Sequence, residues 1–385
     1  MNRRFTIDGS SELERQLERL CNEVLKHVQG IVPASRLEAI FLGGGYGRGE
    51  GGVLRNSDGD HPYNDLEFYI CIRGNPRLNE RSIGKRLHQL GEQLSHDAGI
   101  EVEFKIASLA KLRASPPSMF LYDLAMGHRT VFGNDAALLQ ARFLDPAKIP
   151  QHEAARLLMN RCSGLLFSQE RLSKTLFAPE DSDFVGRNHA KAQLAFGDVV
   201  LTMLGQYHWS CRERNQRLQR LSEGRQSNDL PIPLRRIVCH HTVGTDFKLH
   251  PKRTNSPPHE LVPTQAELSE LGKQLWLWVE SQRLGEKFRS IEDYLSLAIN
   301  KCPETNSLKN RLINLRQFGF HSLFTPRATR YPRERLLHAL PLLLWRVSSD
   351  LSGGTLRRIQ EELNTDSTDF SSLVQAYRSL WQHFN

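Results

Sequence analysis

The chain has 385 residues, of which 39% are hydrophobic and 24% charged, with a formal net charge of +8. This profile excludes a disordered or collagen-like chain and fits a globular protein of two or three domains, each long enough to bury a core. The positive balance suits anionic partners such as nucleotides, RNA or acidic proteins, and it equally suits solubility alone.

The six cysteines are scattered, the closest pair being Cys211 and Cys239, 28 positions apart. There is no CxxC or zinc-ribbon spacing, and the usage fits a reducing cytosol. The stretch "MNRRFTIDGSSELERQL" lacks the apolar region of a secretory signal, and apolar runs such as "LPLLLW" (340–345) are too short to span a bilayer. The expectation is a cytoplasmic protein with no membrane partner.

Residues 11–29 carry Leu13, Leu17, Leu20, Val24, Leu25 and Val28 in one stripe at helical spacing, with Ser10 or Ser11 placed to cap the start. "LEAIFL" (37–42) reads as a strand that runs into "GGGYGRGEGG". The following "LRNSDGDHP" has turn chemistry. Its Asp58, Asp60 and His61 are explained by a turn, or more sharply by an acceptor-binding loop.

"DLEFYICI" (65–72) is a strand by composition, with Leu66, Phe68 and Ile70 on one face and Asp65, Glu67 and Tyr69 on the other. A helix is predicted over 79–99, ending at Gly99. "IEVEFKI" (100–106) alternates, placing Val102, Phe104 and Ile106 inward and Glu101, Glu103 and Lys105 on the opposite face. Residues 118–135 read as a short helix, a turn and a last strand.

After "DPAKIP" (145–150) strand patterns stop. A helix is predicted over 152–172 and one long helix over 188–221. A basic, loop-rich stretch follows at 214–262, and helical patterns resume at 264–283, 287–300, 305–317, 332–347, 354–364 and 368–382. The fold class expected is α+β. An N-terminal mixed-sheet domain with flanking helices (1–147) precedes an all-α domain (148–385), which the basic stretch divides into two helical subdomains in one reading.

Three readings of the glycines compete. A Walker A loop must end in Gly-Lys-Ser/Thr, but Val53 and Leu54 follow Gly52. "GRGEGG" (47–52) matches GxGxxG, yet "VLRNSDGDHPYN" cannot supply the helix that a dinucleotide fold needs there. The third reading joins the glycines to the acids downstream. Asp65 and Glu67 leave one strand face together, and carboxylates so close repel unless a cation lies between them. Magnesium takes oxygen ligands and bridges carboxylates to phosphates. Glu101 or Glu103 on the second strand offers a third acid.

With "LGGGYGRGEG", "NDLEFYI" and "IEVEF" in this order, the sequence resembles the DNA polymerase β-like nucleotidyltransferase superfamily over residues 36–135. Within it, the likeness is to the small antibiotic-modifying and minimal members. Gly44-Gly45 stands at the family's Gly-Gly/Ser position, Gly47-Arg48-Gly49-Glu50 at its small-Arg-Gly-Glu run, and Asp65-Leu66-Glu67-Phe68 at its metal dyad. The spacer between Gly45 and Asp65 is longer than the family's usual one, and position 45 is Gly where many members have Ser.

The resemblance implies that Asp65, Glu67 and Glu103 are catalytic ligands of Mg2+ or Mn2+, with Glu103 preferred to Glu101 by its spacing to "ASLAKL". It implies that the Gly44 and Gly45 amides hold the phosphates of ATP or another nucleoside triphosphate. Arg48 would touch phosphate or pair with Glu50, and Lys191 would clamp the triphosphate; an ordinary exposed helix lysine is the plainer reading of Lys191. The reaction implied moves a nucleoside monophosphate, AMP by preference, to a hydroxyl of a small molecule or protein. A nucleic-acid acceptor is possible but not favoured. The alternative is an inactive protein of the same fold that binds nucleotide, RNA or a partner protein.

Other residues have plainer explanations. His240 and His241 lack the spacing of metal ligands on a helix. Trp276, Trp278, Trp345 and Trp381 fit core packing better than base stacking. Asp198, within an apolar helix, reads as a satisfied polar contact or an acceptor-side base.

Overall fold

A computed structural model describes residues 4–63, 65–224, 230–325, 327–346 and 353–384. The architecture is α+β, with one four-stranded mixed sheet among many helices.

Helix α1 (Ser11–Ile31) starts where the Ser10 side chain accepts from the Leu13 amide, and its buried face holds Leu13, Leu17, Leu20, Val24 and Val28 of the predicted stripe, with Leu25 partly buried. Strand β1 (Leu37–Leu42) runs into the short helix α2 (Gly44–Arg48). A hairpin of β2 (Val53–Asn56) and β3 (Gly59–Pro62) then leads to β4 (Leu66–Ile72). Helix α3 (Pro76–Ala98) ends at Gly99, whose φ of 68° is the left-handed cap that glycine favours. Strand β5 (Val102–Ala107), α4 (Leu109–Ala114), α5 (Met119–Gly127), β6 (Arg129–Gly133) and α6 (Ala141–Leu144) follow.

The sheet order is β5-β4-β1-β6, with β4 and β5 parallel and the other neighbours antiparallel. The period of two decides the layers. Leu66, Phe68, Ile70 and Val102 pack with α1 and α3, while Phe41, Tyr69 and Cys71 pack with Leu121, Leu124 and Ala125 of α5 on the other face. The acids of β4 and β5 therefore leave the face away from α1 and α3.

The remaining described elements are helical: α7 (Gln151–Leu172), α8 (Pro179–Met203), α9 (Cys211–Glu223), α10 (Leu234–Leu249), α11 (Pro258–Leu284), α12 (Ile291–Ser296), α13 (Ser307–Phe318), α14 (Pro332–Trp345), α15 (Gly353–Leu363) and α16 (Phe370–Phe384). Buried Trp276 of α11 meets half-buried Trp345 of α14 edge to face, 5.6 Å apart. None of the described helices is long and apolar enough to cross a membrane.

Three expectations need correction. The predicted long helix over 188–221 is two, because the chain turns at Gly205 (φ 65°) and Ser210 caps a new start. The stretch 214–262 is not loop-rich. Its residues 225–229 lie outside the described ones, but α10 occupies 234–249, with Leu234, Ile237, His241, Thr245 and Leu249 buried at helical spacing behind Pro233. The predicted turn-rich insertion is a hairpin around Ser57 and Asp58. Asp60 accepts from the Ser10 amide (2.7 Å), which ties the hairpin to the start of α1.

The chain forms two compact units. The first comprises Met1–Glu153, Val200–Gln226 and Val238–Lys252; the second comprises Ala154–Val199, Ser227–Ile237 and Arg253–Asn385. Three segments expected in the helical domain, 148–153, 200–226 and 238–252, thus belong to the unit that holds the sheet.

Candidate active site

Parallel pairing sets Glu67 of β4 opposite Glu103 of β5, and Asp65 immediately precedes β4. Oxygens of Asp65, Glu67 and Glu103 lie within 4.8 Å of one another, with Asp65 and Glu103 exposed and Glu67 half-buried. Of the two acids considered on β5, Glu103 is the one in this trio.

A lysine lies among these acids. Lys105 Nζ is 2.8 Å from Glu67 Oε1 and 3.1 Å from Glu103 Oε2. Partial burial works to lower its pKa, but its bond to Glu67 and the nearby Tyr69 and Glu103 hold it above the usual lysine range. Asp65 shows the opposite strain: loss of hydration, then the neighbouring Glu67, pushes its carboxyl up. The trio is thus a knot of negative charge neutralised in part by one ammonium.

The glycine turn adjoins this knot. The Gly43 amide donates to the Glu67 carbonyl (2.9 Å), fastening the turn to β4. Gly44 has φ +62°, and a Cβ there would meet Glu67 Oε2 at 3.4 Å. A Cβ at Gly45 would lie 3.0 Å from the Glu50 carbonyl oxygen, so the serine common at that position would crowd the turn. The amides of Gly44 and Gly45 begin α2, where the first N–H groups have no partner within the helix.

Behind the turn lies a buried polar network. Arg48 Nη1 pairs with Asp123 Oδ2 at 2.8 Å and is only 10% exposed. The Tyr207 hydroxyl donates to the same Asp123 oxygen, and Arg214 donates to Tyr207 and to the His208 and Trp209 carbonyls. Glu50 accepts from the Ser210 hydroxyl and the Cys211 amide. Burial works to raise Glu50, but those two bonds hold it below the usual carboxylate range.

Arg48 therefore has Asp123, rather than Glu50 or an open phosphate position, as its ion-pair partner. Burial works to lower its pKa, and Asp123 holds it above the ordinary value. The sequence reading missed Asp123, Tyr207, Ser210 and Arg214. Only the glutamate and arginine beside the glycines signalled that buried partners were needed.

Of the residues expected at one site, the structure brings together Asp65, Glu67, Glu103, Gly44 and Gly45. The Arg48 side chain joins the network behind them. Lys191 belongs to the second unit, exposed on α8. No protein-family model matches this chain, and it has no significant match among curated proteins.

Proposed function

We propose that the chain is a metal-dependent nucleotidyltransferase that moves AMP from ATP to a hydroxyl of a small molecule or protein, with release of pyrophosphate. The observation that carries this reading is the meeting of three carboxylates with a glycine turn: Gly44 packs against Glu67, whose carboxylate adjoins those of Asp65 and Glu103.

The donor set fits magnesium or manganese. It offers only carboxylate oxygens, which these ions prefer, and Lys105 already shows that the place accepts positive charge. Asp65, Glu67 and Glu103 would hold the ion, which when bound polarises phosphate and lowers the pKa of a hydroxyl.

The chain's own groups do the rest. The Gly44 and Gly45 amides point donors at the phosphates without adding bulk. The Arg48–Asp123 and Glu50–Ser210 contacts keep the turn rigid, so that no donor must reorganise during reaction. The acceptor oxygen forms a bond to the α-phosphorus as the bond to the pyrophosphate oxygen breaks. Asp65, exposed and just before β4, would accept the hydroxyl proton as that bond forms.

Calorimetry of ATP binding, with and without magnesium, tests this. Wild type binds ATP more tightly with magnesium, and Asp65→Ala/Glu67→Ala abolishes that gain. A wild type indifferent to magnesium sinks the catalytic reading in favour of an inactive binding protein.

A further inference from the structure

The second unit contains a cleft of about 320 Å³ between α7, α8 and α16. Arg161, Arg187, Lys191 and Arg378 line it, and among the described residues no carboxylate does. Acids outside the described lining balance three of these cations. Asp183 Oδ2 is 3.1 Å from Arg187 Nε, Glu170 Oε2 is 3.8 Å from Arg378 Nη2, and Asp198 acts on Arg161. A guanidinium carries five donors in a planar fork, and these contacts engage only one edge of Arg187 and Arg378. The Arg378–Glu170 distance is too long for a hydrogen bond.

The rest of the wall is aromatic and amide. Arg378 lies over the Phe167 ring at 4.5 Å, and the Phe167 ring meets Trp381 edge on at 5.6 Å. The buried indole Nε1 of Trp381 has no hydrogen-bond acceptor, a state it shares with Trp276 and Trp278. Burial pulls Arg161 below its ordinary range despite Asp198, so an added anion would relieve it. Arginine forks match phosphate, and flat rings stack on tryptophan and phenylalanine. The volume falls near the lower end of small-molecule sites, roughly 300 Å³.

We propose that this cleft binds a small phosphorylated molecule with a flat ring, of the size of a nucleoside monophosphate. Arg187 and Arg378 take the phosphate, and Trp381 contacts the ring. The inference does not rest on the transferase reading, because none of the described lining residues is an acid and its ligand needs no metal.

The test is equilibrium dialysis of the full chain in EDTA, with AMP as probe and inorganic phosphate and adenosine as its separate halves. AMP binds, each half binds at least tenfold more weakly, and binding quenches a fluorescence component absent from Trp381→Phe. Arg187→Gln/Arg378→Gln weakens AMP at least tenfold. Both arginines are partly exposed (41% and 28%), so the fold is expected to survive. Circular dichroism checks this, and Lys191→Gln, an exposed change, provides a milder second variant with a several-fold loss. Asp65→Asn/Glu67→Gln leaves AMP binding in EDTA unchanged. The proposal is overturned if AMP does not bind, if phosphate alone binds as well, if the arginine and lysine variants bind like wild type, or if the acid variant loses AMP. None of these results touches the magnesium-dependent ATP measurement, so the two readings fail separately.

Discussion

Glu280 in the second unit and Glu67 in the first are both paired with a cation, but the cations differ in kind. Glu280 is 2% exposed and held by Arg283 through two hydrogen bonds of 3.0 and 2.6 Å. The buried acids of α14 and α15 are also matched with arginines, though less fully: Glu362 accepts one bond of 3.0 Å from Arg327, and Glu334 lies 3.1 Å from Arg330 without a hydrogen bond to either oxygen. Among the described residues, Glu67 and Glu103 instead share the ammonium of Lys105, on a flexible stem, with Asp65 beside them. A guanidinium fork locks a carboxylate into one geometry, whereas a lysine is a hydrated point charge that can leave. Glu280 is committed to holding its own helix, whereas the trio on the sheet is neutralised only in part, by an ammonium that a cation can replace.

The largest expected effect tests the locked half of this contrast. Arg283→Ala strands the Glu280 carboxylate in the core and costs about 3–5 kcal/mol in urea unfolding. Glu280→Met/Arg283→Met recovers most of that loss, because neither charge is left buried. A cost below about 1 kcal/mol for Arg283→Ala would place this pair with exposed ones and erase the distinction.

Removing Lys105 tests the open half. Its side chain is 37% exposed, so solvent screens both ion pairs. Lys105→Met loses less than about 1 kcal/mol of stability in EDTA. Its divalent-cation affinity rises, about tenfold, as a competing charge has gone. Free Mn2+ followed by electron paramagnetic resonance during titration measures this. Weaker Mn2+ binding in the variant would make Lys105 part of the ligand-holding machinery rather than a placeholder.

How far the sequence discloses this contrast depends on the range of the contacts. Alternation in 65–72 and 100–106 is a local property, and it correctly separates Leu66, Phe68 and Val102, buried, from Glu67 and Glu103. The same alternation puts Lys105 on the face of Glu103, yet nothing local says that its ammonium reaches Glu67 across the strand pair. The hairpin at 53–62 was hidden because its strands are short and polar, and the contact that ties it down, Asp60 with Ser10, spans fifty residues. Arg48 finds Asp123 and Glu50 finds Ser210 over still longer separations. The same long contacts explain why 200–226 belongs with the sheet, although its composition resembles the helical part. The two glycines that matter most were legible as glycines, but the reason Gly45 is not serine, a carbonyl 3.0 Å from its absent Cβ, required the folded turn.

The smallest expected effect has the opposite sign from the first. In the unfolded chain Asp65 ionises near its ordinary value of 3.8, whereas in the folded protein lost hydration and Glu67 keep the proton on to higher pH. Between those two values the folded state binds more protons than the unfolded one, so stability falls as pH rises through the window and stays lower above it. Asp65→Asn cannot ionise and escapes this loss. At pH 7 the variant is therefore more stable than wild type, by less than about 1 kcal/mol because solvent screens an exposed group. Below the window the difference disappears. Urea melts in EDTA at pH 3 and pH 7 measure both ends. A variant less stable than wild type at pH 7 would mean that Asp65 supports the fold as Glu280 does. The expected gain, accompanied by loss of magnesium-dependent ATP binding, marks a carboxylate kept at a cost to stability, as a group positioned for a ligand would be.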